Sequence, residues 1–453
     1  MPVVAALPSE PRFRDHVQRI CSAAEEALRI SRECGRPFDG IVLHSGSAST
    51  YHAQDREIDF RPVPHFMRFA PLTAPDTFIA YTPGRIPKLV RTVVEDFWYE
   101  PPTGTGGEVL DALEVVTVSS LRQAHVELGT VRGYAYIGNN AELAESFGID
   151  AAAIEPTPLL HALDWARAEK TPYEVECIRA AAQRAGVGHA AARQLVEQGA
   201  SERAIHRAYL EAADVLETEL PYTNITAWDD HAAILHYQTK RGERPGPAHV
   251  FLIDAGATAW GYASDITRTY ARAGAHPLFA ELLRRMGELQ RQLVDRVRPQ
   301  VSFVALHEAA ALGICAALRD LGVLRISAED ALERRVSHTF FPHGLGHQLG
   351  LQVHDVGGNL RGPRGPRQDP PSAYPHLRNL RELSAGQVVT IEPGVYFIPM
   401  LLRALRASPH AEVVDWDVVD VLIPCGGIRI EDDVHVTGDG PEDLSRPFVP
   451  GSL

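Results

Sequence analysis

Two carboxylates eleven residues apart open the chemistry of this 453-residue chain: Asp254 closes an apolar run in LIDAGA, and Asp265 lies in YASDITRT. Runs that close together can pair as neighbouring strands and bring both carboxylates to one point. The segment FFPHGLGHQLGLQVHD (340–355) adds His343, His347 and His354, three of the chain's 20 histidines within twelve residues. Gly344, Gly346 and Gly350 lie among them and let backbone approach a ligand closely. Glu392 in VVTIEPG and Glu431 in GGIRIEDD both fall in apolar runs. A carboxylate buried there is costly unless it is paired or held on a metal. Arg429, two residues before Glu431, is expected on the same strand face. Asp254, Asp265, Glu392 and Glu431 carry four negative charges, which two divalent cations would neutralise. Joined by one histidine, this oxygen-rich set suits Mn2+, Co2+ or Zn2+ rather than a thiolate-seeking metal. Two such ions ~3.5–4 Å apart can deprotonate a shared water at neutral pH and so make a nucleophile.

Other signals fail. His307-Glu308 begins an HExxH pattern, but position 311 is Ala. Gly104-Thr105-Gly106 begins a GxGxxG pattern, but position 109 is Val and no strand leads into it. A GxSxG elbow is absent, which argues against a serine hydrolase. Lys and Arg total 44 against 58 Asp and Glu, a net charge of −14. That sign repels phosphate backbones, so nucleic acid is excluded as a partner. No apolar run reaches the ~18 residues of a membrane span. The N-terminus lacks a basic region before its short apolar stretch and does not read as a signal peptide. Five scattered cysteines without a CxxC pair point to a reduced, cytoplasmic protein.

The elements that must position these residues follow from periodicity. Phe13, Val17, Ile20, Ala24 and Leu28 are spaced as one helical face over 12–33. Short β-rich runs at 41–43, 77–81, 113–118 and 134–138, with a loop at 101–107, complete an α/β unit. The composition turns helical over 156–216, with Thr171-Pro172 and Glu174 as an N-terminal cap signature. Strand-like patches follow at 234–237, 249–257, 262–271, 338–354, 388–398 and 426–437, with helices at 277–296 and 303–321. We therefore expect an N-terminal α/β domain (1–165) and an α+β catalytic domain (166–453) with a mostly antiparallel sheet.

The ordered set of Asp, Asp, HGxGHxxGLxxHD, TIEPG and RIED resembles that of the pita-bread metallopeptidases. The blocks PYTNI (221–225), HAAILHY (231–237), GYASDITRTY, PHGLGHQLGLQVHDVGG (342–358), IEPGVYFI and GGIRIEDD are most similar to bacterial prolidases, the Xaa-Pro dipeptidases, a group that includes organophosphorus acid anhydrolases. The resemblance implies a pita-bread catalytic domain with Asp254, Asp265, His347, Glu392 and Glu431 as ligands of two divalent ions, Mn2+ foremost. It implies Glu392 as general base or proton shuttle, His354 as stabiliser of the tetrahedral intermediate, His236 near the substrate, His343 behind the ligands and Arg429 orienting them. It implies an Arg for the proline carboxylate, for which Arg378 and Arg381 both fit, and Tyr222 beside the substrate. It also implies a homodimer in which the loop carrying Asp55 approaches the partner's site. The Xaa-Pro bond is a tertiary amide without an N–H, so a peptidase that grips that donor cannot hold it. The same resemblance leaves open aminopeptidase P activity on longer peptides and hydrolysis of organophosphates. An inactive binding module on this fold is disfavoured because all five ligands are present.

Overall fold

The computed structural model describes residues 10–98 and 111–449, so the loop expected at 101–107 lies outside them. Helix α1 (Glu10–Glu33) turns its expected stripe of Phe13, Val17, Ile20, Ala24 and Leu28 into the core. The stripe packs on one face of a sheet built from β1 (Gly40–His44), β2 (Phe78–Tyr81), β3 (Lys88–Thr92), β4 (Glu114–Val118) and β5 (Tyr134–Ile137), in the order β4-β3-β2-β1-β5. Strand alternation divides the apolar residues between faces. Ile41 and Leu43 join α1 and α2 (Pro64–Phe69), whereas Val42 joins α3 (Leu121–Leu128) and α4 (Ala141–Ser146). Helix α5 (Thr157–Ala168) packs on α1 and leads into α6 (Pro172–Glu197). The Thr-Pro signature does what its chemistry allows. The Thr171 hydroxyl accepts from the Glu174 N–H, and Glu174 Oε2 accepts from the Thr171 N–H, a reciprocal cap worth about 1 kcal/mol.

The remainder is α+β. Helix α7 (Glu202–Ala213) precedes β6 (Ile225–Trp228) and β7 (Val250–Asp254). The two-residue strands β8 (Thr258–Ala259) and β9 (Tyr262–Ala263) form a hairpin before β10 (Thr267–Ala271). Helices α8 (Pro277–Val294) and α9 (Phe303–Asp320) follow, close to the expected spans. Then come β11 (Val388–Ile391), β12 (Gly394–Tyr396), β13 (Gly427–Arg429), β14 (Asp432–Thr437) and β15 (Gly440–Asp443). Every pairing among β6 to β15 is antiparallel. Among the described residues, no helix is long and apolar enough to cross a membrane.

Five strand expectations change. Residues 234–237 are not a strand; a 3-10 turn at Asp229–Ala233 runs into further turns there. The 338–354 patch is a short helix (Ser337–Phe340) followed by an extended loop beside β11. The loop presses so closely on β11 that a methyl at Gly346 would collide with the Thr390 carbonyl oxygen. The three long runs are each interrupted at an acid. Asp265 lies between β9 and β10, Glu392 between β11 and β12, and Glu431 between β13 and β14. Pro393 explains one break, since it has no N–H for a ladder.

A buried guanidinium ties these breaks together. Arg268 on β10 donates to the carbonyls of Glu431 (2.7 Å) and Val449 (2.5 Å) and to Asp432 Oδ1 (2.7 Å). The Ser445 hydroxyl donates to Asp432 and accepts from the Asp433 N–H. Asp433 in turn accepts the Asp265 N–H.

Candidate metal centre

The interrupted strands converge. Thr267, first residue of β10, is opposite Asp254 in the β7 pairing and bridges to Glu431 across the sheets. Its hydroxyl donates to Glu431 Oε2 (2.7 Å) and accepts from Arg429 Nε (3.1 Å). Arg429 Nη2 reaches Asp254 Oδ2 at 2.5 Å, and Nη1 donates to the Tyr396 hydroxyl at 2.9 Å. The same hydroxyl meets His343 Nε2 at 2.9 Å. His347 Nε2 faces Asp265 Oδ2 at 3.4 Å and Glu392 Oε1 at 3.6 Å. Its Nδ1 lies 3.0 Å from the Gln348 carbonyl, so that nitrogen carries the proton in the neutral ring and Nε2 offers its lone pair to the acids. One ligand atom from each of Asp265, His347 and Glu431 falls within 4.8 Å of the others.

The electrostatics are those of a cation site. Asp254, Asp265, His347 and Glu431 are buried, and Glu392 nearly so. Burial raises the Glu431 carboxyl well above its ordinary range, and Asp265, Glu392 and Asp254 raise it further. Burial likewise pushes Glu392 up to about 7, with His347 and Arg429 opposing and Asp265 and Asp254 adding. Asp254 is raised by burial and by Asp265 against Arg429, and its Oδ1 is buried with no protein partner. His347 moves the other way: against burial, Asp265 and Glu392 raise it. Acids that repel one another in a dry pocket, one of them with an orphaned oxygen, fit divalent ions.

This yields a prediction for the chelated protein. The folded chain holds Glu392 protonated up to about 7, whereas the unfolded chain releases that proton near 4.3. The folded state therefore binds more protons across that window. Its stability is full below ~4.3 and declines as pH rises through about 7. Melting followed from pH 4.5 to 7.5 in chelator should show that decline. With Mn2+ added, the rise in melting temperature should instead grow with pH, because the ions displace protons. A chelated protein that gains stability over the same range contradicts this charge assignment.

The other sequence-derived residues separate. His354 packs edge-on against His347, ring centres 4.4 Å apart, and lines a cavity of about 430 Å³ with His347 and Arg378. Burial, His347 and Arg378 lower its pKa and keep it neutral. His343 is also neutral, pushed down to about 3 by burial and by Arg429, with Nδ1 3.7 Å from Glu392 Oε2. His236 is exposed and within electrostatic reach of His343 and His354. Arg378 is exposed into the cavity. Arg381 is buried instead, its guanidinium 3.4 Å over the Trp165 ring and 4.0 Å from Glu169. Tyr222 faces the acids: burial, Asp254, Asp265 and Glu431 hold its hydroxyl protonated. Asp55 sits in an exposed run from 48 to 59. Sequence reasoning missed Thr267, Thr390 and Tyr396. Thr390 accepts the His347 N–H (3.1 Å) and lies 3.4 Å from Glu392 Oε1. For the two threonines the available signal was a hydroxyl two residues from an acid in an apolar run; Tyr396 carried no such signal.

A family model described as metallopeptidase family M24 matches residues 176–438, and one described as Xaa-Pro dipeptidase, N-terminal domain matches residues 11–165. The chain is 38% identical to a Xaa-Pro dipeptidase of Stenotrophomonas maltophilia (strain K279a), covering 96% of both chains. It is 40% identical to a Xaa-Pro dipeptidase of Xanthomonas axonopodis pv. citri (strain 306), covering 96% of this chain and 97% of that one. Among solved structures, E. coli aminopeptidase P with the inhibitor Pro-Leu superposes with a TM-score of 0.73 at 22% identity, covering 98% of this chain and 96% of that one. The last is a likeness of fold.

Proposed function

The chain belongs to metallopeptidase family M24, and from that premise we infer that it is a metal-dependent Xaa-Pro dipeptidase built on the pita-bread fold. The observation that carries the dipeptide reading is the shared cavity. His347 from the acidic cluster, His354 and the exposed Arg378 line the same space of about 430 Å³. The cleavage site and a carboxylate anchor are thus one short substrate apart.

Asp254, Asp265, His347, Glu392 and Glu431 would hold two divalent ions, for which we propose Mn2+ because oxygen donors dominate. Bound there, such ions supply Lewis acidity and a water acidic enough to attack at neutral pH. The protein's own groups do the rest. The Arg378 fork takes the proline carboxylate through parallel N–H bonds. Arg381 is left to stack on Trp165. His354, neutral, donates a hydrogen bond to the scissile carbonyl oxygen as negative charge develops on it. Glu392 collects the proton of the attacking water at Oε2 and passes it to the proline nitrogen as the C–N bond breaks. That transfer suits an amide whose nitrogen has no hydrogen of its own. Arg429, pinned by Tyr396 and Thr267, keeps Asp254 aimed at the cluster. We place His236 at the mouth beside the substrate, and Tyr222 behind Asp254 and Asp265.

A homodimer in which the exposed 48–59 loop, with Asp55, meets the partner is also our reading. The five free thiols support a reducing, cytoplasmic setting. The deciding assay compares a Xaa-Pro dipeptide with a Xaa-Pro-Yaa tripeptide, with Mn2+ and after chelation. Metal-dependent cleavage of the dipeptide, with the tripeptide poorly used, is the expected outcome. Preference for the tripeptide would move the assignment to aminopeptidase P, and cleavage of neither with Mn2+ bound would remove the peptidase reading.

A further inference from the structure

A second polar cluster sits at the junction between α5 and α6, outside the acids described above. Asp355 follows His354 directly, and its carboxylate is doubly held. Arg167 Nη2 donates to Oδ1 at 2.5 Å and Lys170 Nζ to Oδ2 at 3.1 Å. All three side chains are within 2% of full burial. Arg167 also donates to Gln352 Oε1. The space is tight, because a methyl at Gly350 would strike Asp355 Oδ2. Burial opposes the charge of Asp355, yet Arg167 and Lys170 hold it ionised, down to about 2.

The backbone carries this clamp to the metal centre. The Asp355 N–H donates to the Gln348 carbonyl at 2.8 Å. That same carbonyl lies 3.0 Å from His347 Nδ1. One oxygen thus receives both the clamp and the imidazole N–H that sets which nitrogen of His347 is free. On the other side of Asp355, His354 is fixed edge-on against the same ring. We propose that Asp355, gripped by Arg167 and Lys170, is a positioning residue. It locks the ring orientation and proton placement of His347 and the pose of His354, and so makes the site depend on the α5–α6 junction. The proposal rests on His347 being a metal ligand.

Outer hydrogen-bond partners of a metal-bound histidine typically matter 10–100-fold, which sets the expected effect. Mn2+ is titrated calorimetrically into the full chain after chelation, for the parent and Asp355→Asn. The variant is expected to bind Mn2+ about 10–100-fold more weakly. Its kcat on a Xaa-Pro dipeptide should fall by a similar factor, with KM within about twofold. Arg68→Met is the structural comparison. Arg68 pairs with buried Glu174 beside the same junction but has no bond towards His347, so it should lower the melting temperature and leave Mn2+ affinity alone. Should Asp355→Asn not fold, Lys170→Gln removes one of the two grips and should shift Mn2+ affinity in the same direction by less. Asp355→Asn and Lys170→Gln both binding Mn2+ like the parent would overturn the proposal. Asp254→Asn binding Mn2+ like the parent would instead overturn the ligand assignment beneath it.

Discussion

Glu431→Gln should cost the protein its divalent ions and, in the same variant, raise the melting temperature of the ion-free chain. Both effects have one cause. Asp254, Asp265, Glu392 and Glu431 crowd a buried space in which Arg429 is the guanidinium that answers them. Without ions, burial and the other three acids raise the Glu431 carboxyl well above its ordinary range. The unfolded chain pays no such penalty near neutral pH. Glutamine keeps the shape and the acceptor for Thr267 while abolishing the charge, so the ion-free fold is relieved, and more so as pH rises. With ions, the same change removes a charged ligand from a desolvated site. Losing one partner of a buried charge pair typically costs 3–5 kcal/mol, or ~10²–10⁴-fold in affinity. Hydrolysis should disappear at micromolar Mn2+ and return only partly at high Mn2+. Thermal melting with chelator and with Mn2+ gives both signs in one experiment. A variant destabilised without ions, or one that binds Mn2+ normally, contradicts the arrangement.

The second large effect concerns His354. Burial, His347 and Arg378 keep its ring neutral, so in the proposed mechanism it would serve as a hydrogen-bond donor and not as a titrating acid. Removing one such donor to a developing oxyanion typically costs 10²–10³-fold in kcat. We expect that loss in His354→Ala, with KM and Mn2+ affinity close to the parent. Because charge is not required, His354→Gln should recover part of the rate. The parent should show no protonation step from this group around pH 6.5. A Gln variant as slow as Ala, together with a parent profile that falls as a group near 6.5 loses its proton, would reassign His354 as a cationic acid.

Much of the candidate site was legible because the proposed carboxylate ligands stand out as acids in an apolar context. Asp254, Glu392 and Glu431 are conspicuous where a strand would otherwise be uniformly buried, and His347 stands among glycines. Less legible was how the backbone treats those acids. The runs around Asp265, Glu392 and Glu431 read as single strands, but each is cut at the acid, as the element boundaries record. A period-two pattern carries no mark of a break between sheets. The loop at 338–354 misled for a related reason: it is extended and bonded to β11, yet it forms only an isolated bridge there, at Gln348. Arg378 and Arg381 were inseparable by sequence, being three apart with similar neighbours. What divides them is Trp165, more than two hundred residues away in the chain. Tyr396 was invisible for the same reason, since its role exists only once strands from distant segments meet.

The Arg268 network also bears on how the protein comes into being on the ribosome. Arg268 donates to Val449, and Ser445 braces the Asp432-Asp433 pair under Asp265. Translation runs from the N-terminus, and domains condense as they emerge. Most of the core around α1 can therefore gather before Glu431 is made, whereas the acidic cluster waits for residues synthesised later still. Until then its carboxylates stand apart, with nothing to gather them around a cation. A polypeptide interrupted before Glu431 would thus lack one of the proposed ligands and the carbonyl that Arg268 grips, and so would have no working centre.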